Sequence, residues 1–169
     1  MKVGFLPFAA LLLLLSVAAT AQTCDDRVSP STPDTRFSVS GDEVTDLQTG
    51  LIWQRCSVGK SWDGTTCSGR ATTHNWSEAL AMAADDWRLP NIKELMSIVE
   101  EACVEPAVNL TVFPATVSSW HWSSSPYTYS RNGAWGVGFC GSGAGMYHKD
   151  SELPVRLVRG GQESSGFDD

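Results

Sequence analysis

The stretch from Trp87 to Cys103, WRLPNIKELMSIVEEAC, constrains this chain more than any other. Trp87-Arg88-Leu89 is an apolar anchor, and Pro90 breaks the chain after it. Asn91 follows with Glu94 three residues on, the spacing of a capping box with Asn in place of Ser or Thr. Ile92, Leu95, Met96 and Val99 then fall at i, i+3, i+4 and i+7, one apolar stripe of a helix, with Glu100 and Glu101 off that stripe. A helix of this kind needs a partner surface along one side. The same signal stands just upstream. Asn75 and Glu78 have the capping-box spacing, Trp76, Ala79, Leu80 and Ala83 repeat the stripe, and Asp85-Asp86 ends it.

On either side the pattern is that of strands. Residues 36–39 and 43–46 flank the turn Ser40-Gly41-Asp42. A further apolar strand over 51–54 follows the turn Leu47-Gln48-Thr49-Gly50. Beyond Cys103, residues 105–119 are irregular and hold Pro106 and Pro114, a length of roughly fifteen residues that suggests function. The sequon Asn109-Leu110-Thr111 within it matters only in a glycosylating host. Strands are expected again over 120–124, 134–139, 146–149 and 155–158. In 134–139 the alternation places Trp135, Val137 and Phe139 on one face, with Gly136 and Gly138 on the other leaving room for a backbone or ring. Strands, two helices, then strands predict an α+β domain. Two helices pack on antiparallel sheet, and the N- and C-terminal strands meet.

The N-terminus reads as an export signal. Lys2 is basic, residues 5–17 are apolar, and Ala19-Thr20-Ala21 is a small-residue cleavage site, so residues 1–21 are a signal peptide. The apolar run is short for a bilayer span, which needs ~20 residues. The expected product is exported, periplasmic or extracellular, and not membrane-spanning. Residues 22–35 read as an arm or linker, 36–161 as the domain and 162–169 as a flexible tail. Loss of Lys2 moves the formal net charge from −7 to −8. An acidic chain without Lys/Arg clusters is not built for nucleic acid.

Five cysteines in an exported chain point to disulfides. Cys56 and Cys67 enclose a ten-residue loop with the turn signal Asp63-Gly64 and are paired here. Cys103 has two possible partners. Cys24 would staple the arm to the end of the second helix, and Cys140 would tie that helix to a strand. The Cys24 pairing is favoured, and one cysteine is left over. No metal is expected: there is no CxxC or HxxxH spacing. Asp42, Glu43 and Asp46 lack the EF-hand spacing and its terminal Glu.

Several separated motifs occur in an order that resembles a known family. They are Thr49-Gly50-Leu51-Ile52-Trp53, then Trp87-Arg88-Leu89-Pro90-Asn91 with Glu94-Leu95, then Trp122-Ser123-Ser124-Ser125-Pro126-Tyr127, Ala134-Trp135, and Val155-Arg156-Leu157-Val158-Arg159. Together they resemble the Lcl C-terminal domain family, named after a bacterial collagen-like adhesin, over roughly residues 36–161. The resemblance implies a C-type lectin-like fold, shared with formylglycine-generating enzymes and phage receptor-binding tips. It also implies a role in adhesion. The chain departs from the family pattern in its acidic hairpin, SVSGDEVTD over 38–46, and in carrying Cys140. The adhesin's domain binds sulfated polysaccharide, which a net charge of −8 disfavours here.

No catalytic constellation is seen. The histidines are His74, His121 and His148, no GxSxG occurs, and no motif sets a His beside a nucleophile. His121, between Trp120 and Trp122, reads as buried or stacked. An enzyme of the formylglycine-generating type would need a reactive cysteine pair, which Cys103 and Cys140 could supply. The calcium motifs of sugar-binding C-type lectins are absent too, and no cofactor is implied. What remains is aromatic density in the last third. Trp122 and Trp135 read as core. Tyr127, Tyr129, Arg131, Tyr147 and His148 are the candidate ligand-binding residues, on loops after Tyr127 and around 141–145. The expected function is a non-enzymatic binding module for a surface glycan or protein. The alternatives are the enzyme above or a purely structural envelope module.

Overall fold

The computed structural model describes residues 21–141 and 143–161. The expected signal peptide, apart from Ala21, and the tail over 162–169 lie outside the described residues. In chain order the first strands are β1 (Thr23–Cys24), β2 (Phe37–Ser40), β3 (Glu43–Asp46), β4 (Ile52–Gln54), β5 (Lys60–Trp62), β6 (Cys67–Gly69) and β7 (Thr73–His74). Then come α1 (Trp76–Ala81) and α2 (Ile92–Met96). The remaining strands are β8 (Cys103–Val104), β9 (Trp120–Pro126), β10 (Gly133–Gly138), β11 (Gly143–His148), β12 (Leu153–Pro154) and β13 (Val158–Arg159).

These strands form small antiparallel sheets. The order β13-β4-β3-β2 makes one of four strands and β11-β10-β9 one of three, while β1-β8, β5-β6 and β7-β12 are pairs. The expected α+β fold, a C-type lectin-like arrangement with two helices packed on one antiparallel sheet, is therefore corrected to a mostly β architecture of small sheets. The helices are only six and five residues long. Both capping boxes form, with each Asn side chain accepting from the Glu N–H and each Glu accepting from the Asn N–H. A capping box fixes where a helix starts and says nothing about its length. After α1 the chain turns through Asp85 and Asp86, both at positive φ, and is held by an Ala84–Trp87 bridge. After α2 the Ser97 hydroxyl donates back to the Glu94 carbonyl at 2.7 Å, a local bond that competes with helix propagation.

Of the stripe on α2, Leu95 is fully buried and Ile92 and Val99 pack half-buried against the core. Met96 departs from it, 36% exposed, and Ile98, off the expected stripe, is fully buried. Leu95 and Ile98 join Val44, Trp53, Val108, Phe113, Val137 and Phe139 in one core cluster. A second cluster gathers Ala79, Leu89, Trp122, Ala134, Val155 and Leu157. The irregular segment over 105–119 fills the first core through Val108, Val112 and Phe113. Asn109 in it donates to the Thr32 carbonyl at 2.8 Å and to Asp34 Oδ1 at 2.7 Å.

Both favoured disulfides are present, Cys24–Cys103 and Cys56–Cys67, and Cys140 stands outside them. The first closes the β1–β8 pair and holds the arm over 22–35 against the domain. Glu100, read from the sequence as lying off the apolar stripe, is buried and grips that arm. Its carboxylate accepts from the Ser31 N–H at 2.9 Å, the Thr32 N–H at 2.8 Å and the Thr32 hydroxyl at 2.8 Å. Burial raises the Glu100 carboxyl, but the N–H donors of Ala102, Ser31 and Thr32 and the Thr32 hydroxyl outweigh it, so the pKa lies below 4.5. Asp46 behaves alike. Burial raises it, and hydrogen bonds from Arg36, Thr49 and the Gln48 N–H bring it below 3.8.

Two predictions follow from this packing. Leu95→Ala should cost roughly 2–5 kcal/mol in denaturant unfolding, as for other fully buried leucines. Because the folded-state pKa values of Glu100 and Asp46 are depressed, their stabilisation is present above their ordinary values and lost as pH falls through the depressed ones. The melting temperature should hold through neutral pH and drop below about pH 4. Glu100→Gln should melt lower at pH 7 and show a shallower acid decline; an unchanged acid decline would show that Glu100 is not one of the groups responsible.

Candidate functional site

The three-stranded sheet β11-β10-β9 sets the geometry of the candidate residues. Residues directly opposite in an antiparallel pair share a face. Trp135 is opposite Met146, Gly133 opposite His148, and Val137 opposite both Ala144 and His121. On the other face, Ala134 is opposite Tyr147, and Gly136 lies between Gly145 and Trp122. The two faces have different fates. The second packs into the cluster around Trp122. The first is buried at one end, where Val137, His121 and Phe139 lie in the interior. At its other end it is open.

That open end is an aromatic platform. Tyr127 meets Trp135 edge-on with ring centroids 5.0 Å apart, and Tyr129 lies 5.6 Å from Tyr127. Met146 flanks them across the strand pair. A Cβ added to Gly133 would sit 3.1 Å from the Met146 side chain and 3.2 Å from that of Tyr127, so the glycine lets the two side chains close over it. Tyr129 is 89% exposed and Met146 48% exposed. The loop that carries the tyrosines is fixed by the backbone: the Tyr127 N–H donates to the Gly133 carbonyl at 3.0 Å, and the Gly133 N–H to the Ser130 carbonyl at 3.0 Å.

Arg131 and His148 lie exposed beside this platform. Lys149 Nζ donates to the Arg131 carbonyl at 2.9 Å, and His148 Nδ1 is 3.4 Å from Asp150 Oδ2. Tyr147 is elsewhere. It points to the opposite face, with its ring 5.0 Å from Trp120 and 6.4 Å from Trp122. Burial, and after it the nearby Cys140, raises its hydroxyl above the usual 10.0. The candidate set is thus split: Tyr127 and Tyr129 are in contact, His148 is opposite Gly133 on the face of Trp135 and Met146, Arg131 follows in the tyrosine loop, and Tyr147 belongs to the packing of the second core. Sequence reasoning missed Trp135 and Met146. Alternation alone puts Trp135 with buried Val137 and Phe139. The pairing of β10 with β9 is irregular between Ala134 and Gly136, and the face is covered on only one side of that irregularity.

His121 is fully buried, edge-on to Phe139 at 4.7 Å. Burial and then the charge of Arg156 push it down to about 3, so it is neutral at physiological pH. Of the loop over 141–145, Ser142 lies outside the described residues; Gly141 sits against Val104, with no room for a Cβ there. Two of the three carboxylates of the acidic hairpin are committed internally. Asp46 accepts from Arg36 Nε at 2.8 Å, and Glu43 from Arg159 at 2.8 and 2.9 Å. Among the described residues no group of His, Cys, Asp and Glu is placed to hold a metal, and no helix is long and apolar enough to cross a membrane.

The family model for the Lcl C-terminal domain matches residues 42–159. The chain belongs to the Lcl C-terminal domain family. The match takes in the platform, the Cys56–Cys67 disulfide, the second core cluster and the first apart from Phe37, while Cys24 and the arm it anchors precede it. Comparison with curated proteins finds no match.

The division of the tyrosines makes a prediction for this Lcl C-terminal domain. Tyr129→Ala should shift stability by no more than about 0.5 kcal/mol, as for an exposed side chain. Tyr147→Ala should cost roughly 1–3 kcal/mol, because it opens the Trp120–Trp122 packing. Equal losses in thermal melts would mean that both rings are packed.

Proposed function

We infer that this domain is an exported, non-enzymatic binding module that attaches to a surface glycan or protein. The observation that carries the reading is the Tyr127–Tyr129–Trp135–Met146 platform. Contiguous aromatic and thioether surface left in solvent marks interaction sites, and aromatic side chains supply contact area at little entropic cost. The platform stands on a sheet rather than on a free loop, which keeps it preorganised. Membership of a family named for an adhesin domain supports the adhesive role. The two disulfides suit an oxidising compartment, periplasmic or extracellular.

The formylglycine-type reading loses its reactive pair, since Cys103 is bonded to Cys24. Sulfated polymers are disfavoured by charge. The candidate cations are Arg131, Lys149 and Arg159; Lys149 lies 4.4 Å over the Trp76 ring and Arg159 is paired with Glu43. The test is a glycan and matrix-protein array probed with residues 22–169. Tyr127→Ala with Tyr129→Ala should remove binding to whichever spots the unaltered protein retains, with the melting temperature kept. Binding to heparin that falls steeply with salt and survives the tyrosine changes, but not loss of Arg131 and Lys149, would overturn the platform as the recognition surface.

A further inference from the structure

A second surface has the makings of a binding site and shares no residue with the platform. A cleft of about 420 Å³ lies where the β5–β6 hairpin, closed by Cys56–Cys67, meets the four-stranded sheet. This is within the size range of small-ligand sites. Trp62 and Trp87 both line it. Trp62 belongs to neither core cluster, so burial does not account for an indole at that position. It is nevertheless held in place. The Arg55 guanidinium lies 3.6 Å over its ring, itself anchored to the Gly41 and Val112 carbonyls. Arg159 lies 4.8 Å over Trp87 in the same manner. Each indole is thus braced on one face by a guanidinium and lines the cleft.

The polar lining is open for use. The side chains of Asp42, Gln54 and Ser61 have no hydrogen-bond partner among the described residues, although they line the cleft. Their chemistry is an acceptor carboxylate, an amide that both donates and accepts, and a hydroxyl. Charge narrows the ligand class. Glu43 is neutralised by the two hydrogen bonds from Arg159. That leaves Asp42 and Lys60, one of each sign, on the lining, with the Arg55 guanidinium against the Trp62 ring. So few charges of mixed sign draw in neither a polyanion nor a cation. Two rigid indoles beside donor and acceptor groups fit a molecule with an apolar face and a rim of hydroxyls.

We propose that the Trp62–Trp87 cleft is a binding site for a neutral saccharide. This stands independently of the platform. The test uses proton–nitrogen NMR of the tryptophan indoles in the disulfide-intact protein, with Trp62 and Trp87 assigned from Trp62→Phe and Trp87→Phe. The probes are glucose, galactose, mannose, N-acetylglucosamine and their tetramers at up to about 10 mM. At least one should shift both indole signals saturably. Asp42→Ala and Gln54→Ala should each weaken that response about tenfold, equivalent to about 1.4 kcal/mol, with the other five indole signals unmoved. Tyr127→Ala with Tyr129→Ala should leave it unchanged, which separates this cleft from the platform. Absence of any shift, shifts insensitive to Asp42→Ala and Gln54→Ala, or a response only to a heparin disaccharide or to tetramethylammonium would each overturn the proposal.

Discussion

The structure depends on one buried charge. Arg156 is fully buried, and among the described residues it has no carboxylate partner. Its two Nη groups donate to oxygens instead, while Nε has no hydrogen-bond partner among the described residues. Nη1 donates to the Gln54 carbonyl at 2.7 Å and the Arg55 carbonyl at 2.5 Å, and Nη2 to Thr116 Oγ1 at 2.7 Å and Ser57 Oγ at 3.2 Å. Phe113 lies beneath it at 4.8 Å. Burial pushes the group down to about 9, which leaves it charged at neutral pH. Hydrogen bonds offset the cost of burying a charge. Reaching these four oxygens brings the end of β4, the Ser57 turn, the Thr116 segment and the chain before β13 into one place. The same charge helps to keep the neighbouring His121 neutral.

Around that point the β11-β10-β9 sheet acts as a wall between two cores. One face carries Val137 and Phe139 into the cluster with α2, and the other carries Trp122 and Ala134 into the cluster with α1. The wall can be thin because glycines line it. The Trp120 ring lies on Gly145, where a Cβ would come within 2.9 Å of it. Neither helix is long enough to cover its face completely. On the α1 side, Tyr147 and Trp120 close the gap. On the α2 side the platform end of the sheet lies by the start of the helix, where the Ile92 N–H donates to Ser125 Oγ at 3.0 Å, and Leu95 and Ile98 cover the other end with Val137 and Phe139.

This is why the candidate residues were only partly legible in the sequence. Tyr127 and Tyr129 could be placed in solvent because they follow Pro126 and precede the turn Arg131-Asn132-Gly133. Tyr147 could not be told from them. Its one-residue offset from Met146 decides its face, and that depends on register with β10. Period-two alternation groups Trp135 with Val137 and Phe139 and cannot show that its end of the face is only half-buried. Glu100 falls off the apolar stripe when helical phase is extended beyond Met96, where the helix stops. Gln54 and Trp62 carry no local sign of meeting Trp87 in one cleft.

By itself the sequence determined what local chemistry can encode. Asn91 and Asn75 with Glu three residues on set both helix starts, short spacing paired Cys56 with Cys67, and the ordered motifs placed the chain in its family. Tertiary structure alone decided how long the helices run, which carboxylates are buried and which aromatic rings reach solvent. Caps and short disulfide loops are contacts between residues near in sequence. The length of a helix and the face a ring presents are fixed by distant partners such as Ser31 on Glu100 or Gly133 beside Met146, whose separation in the chain leaves no local trace.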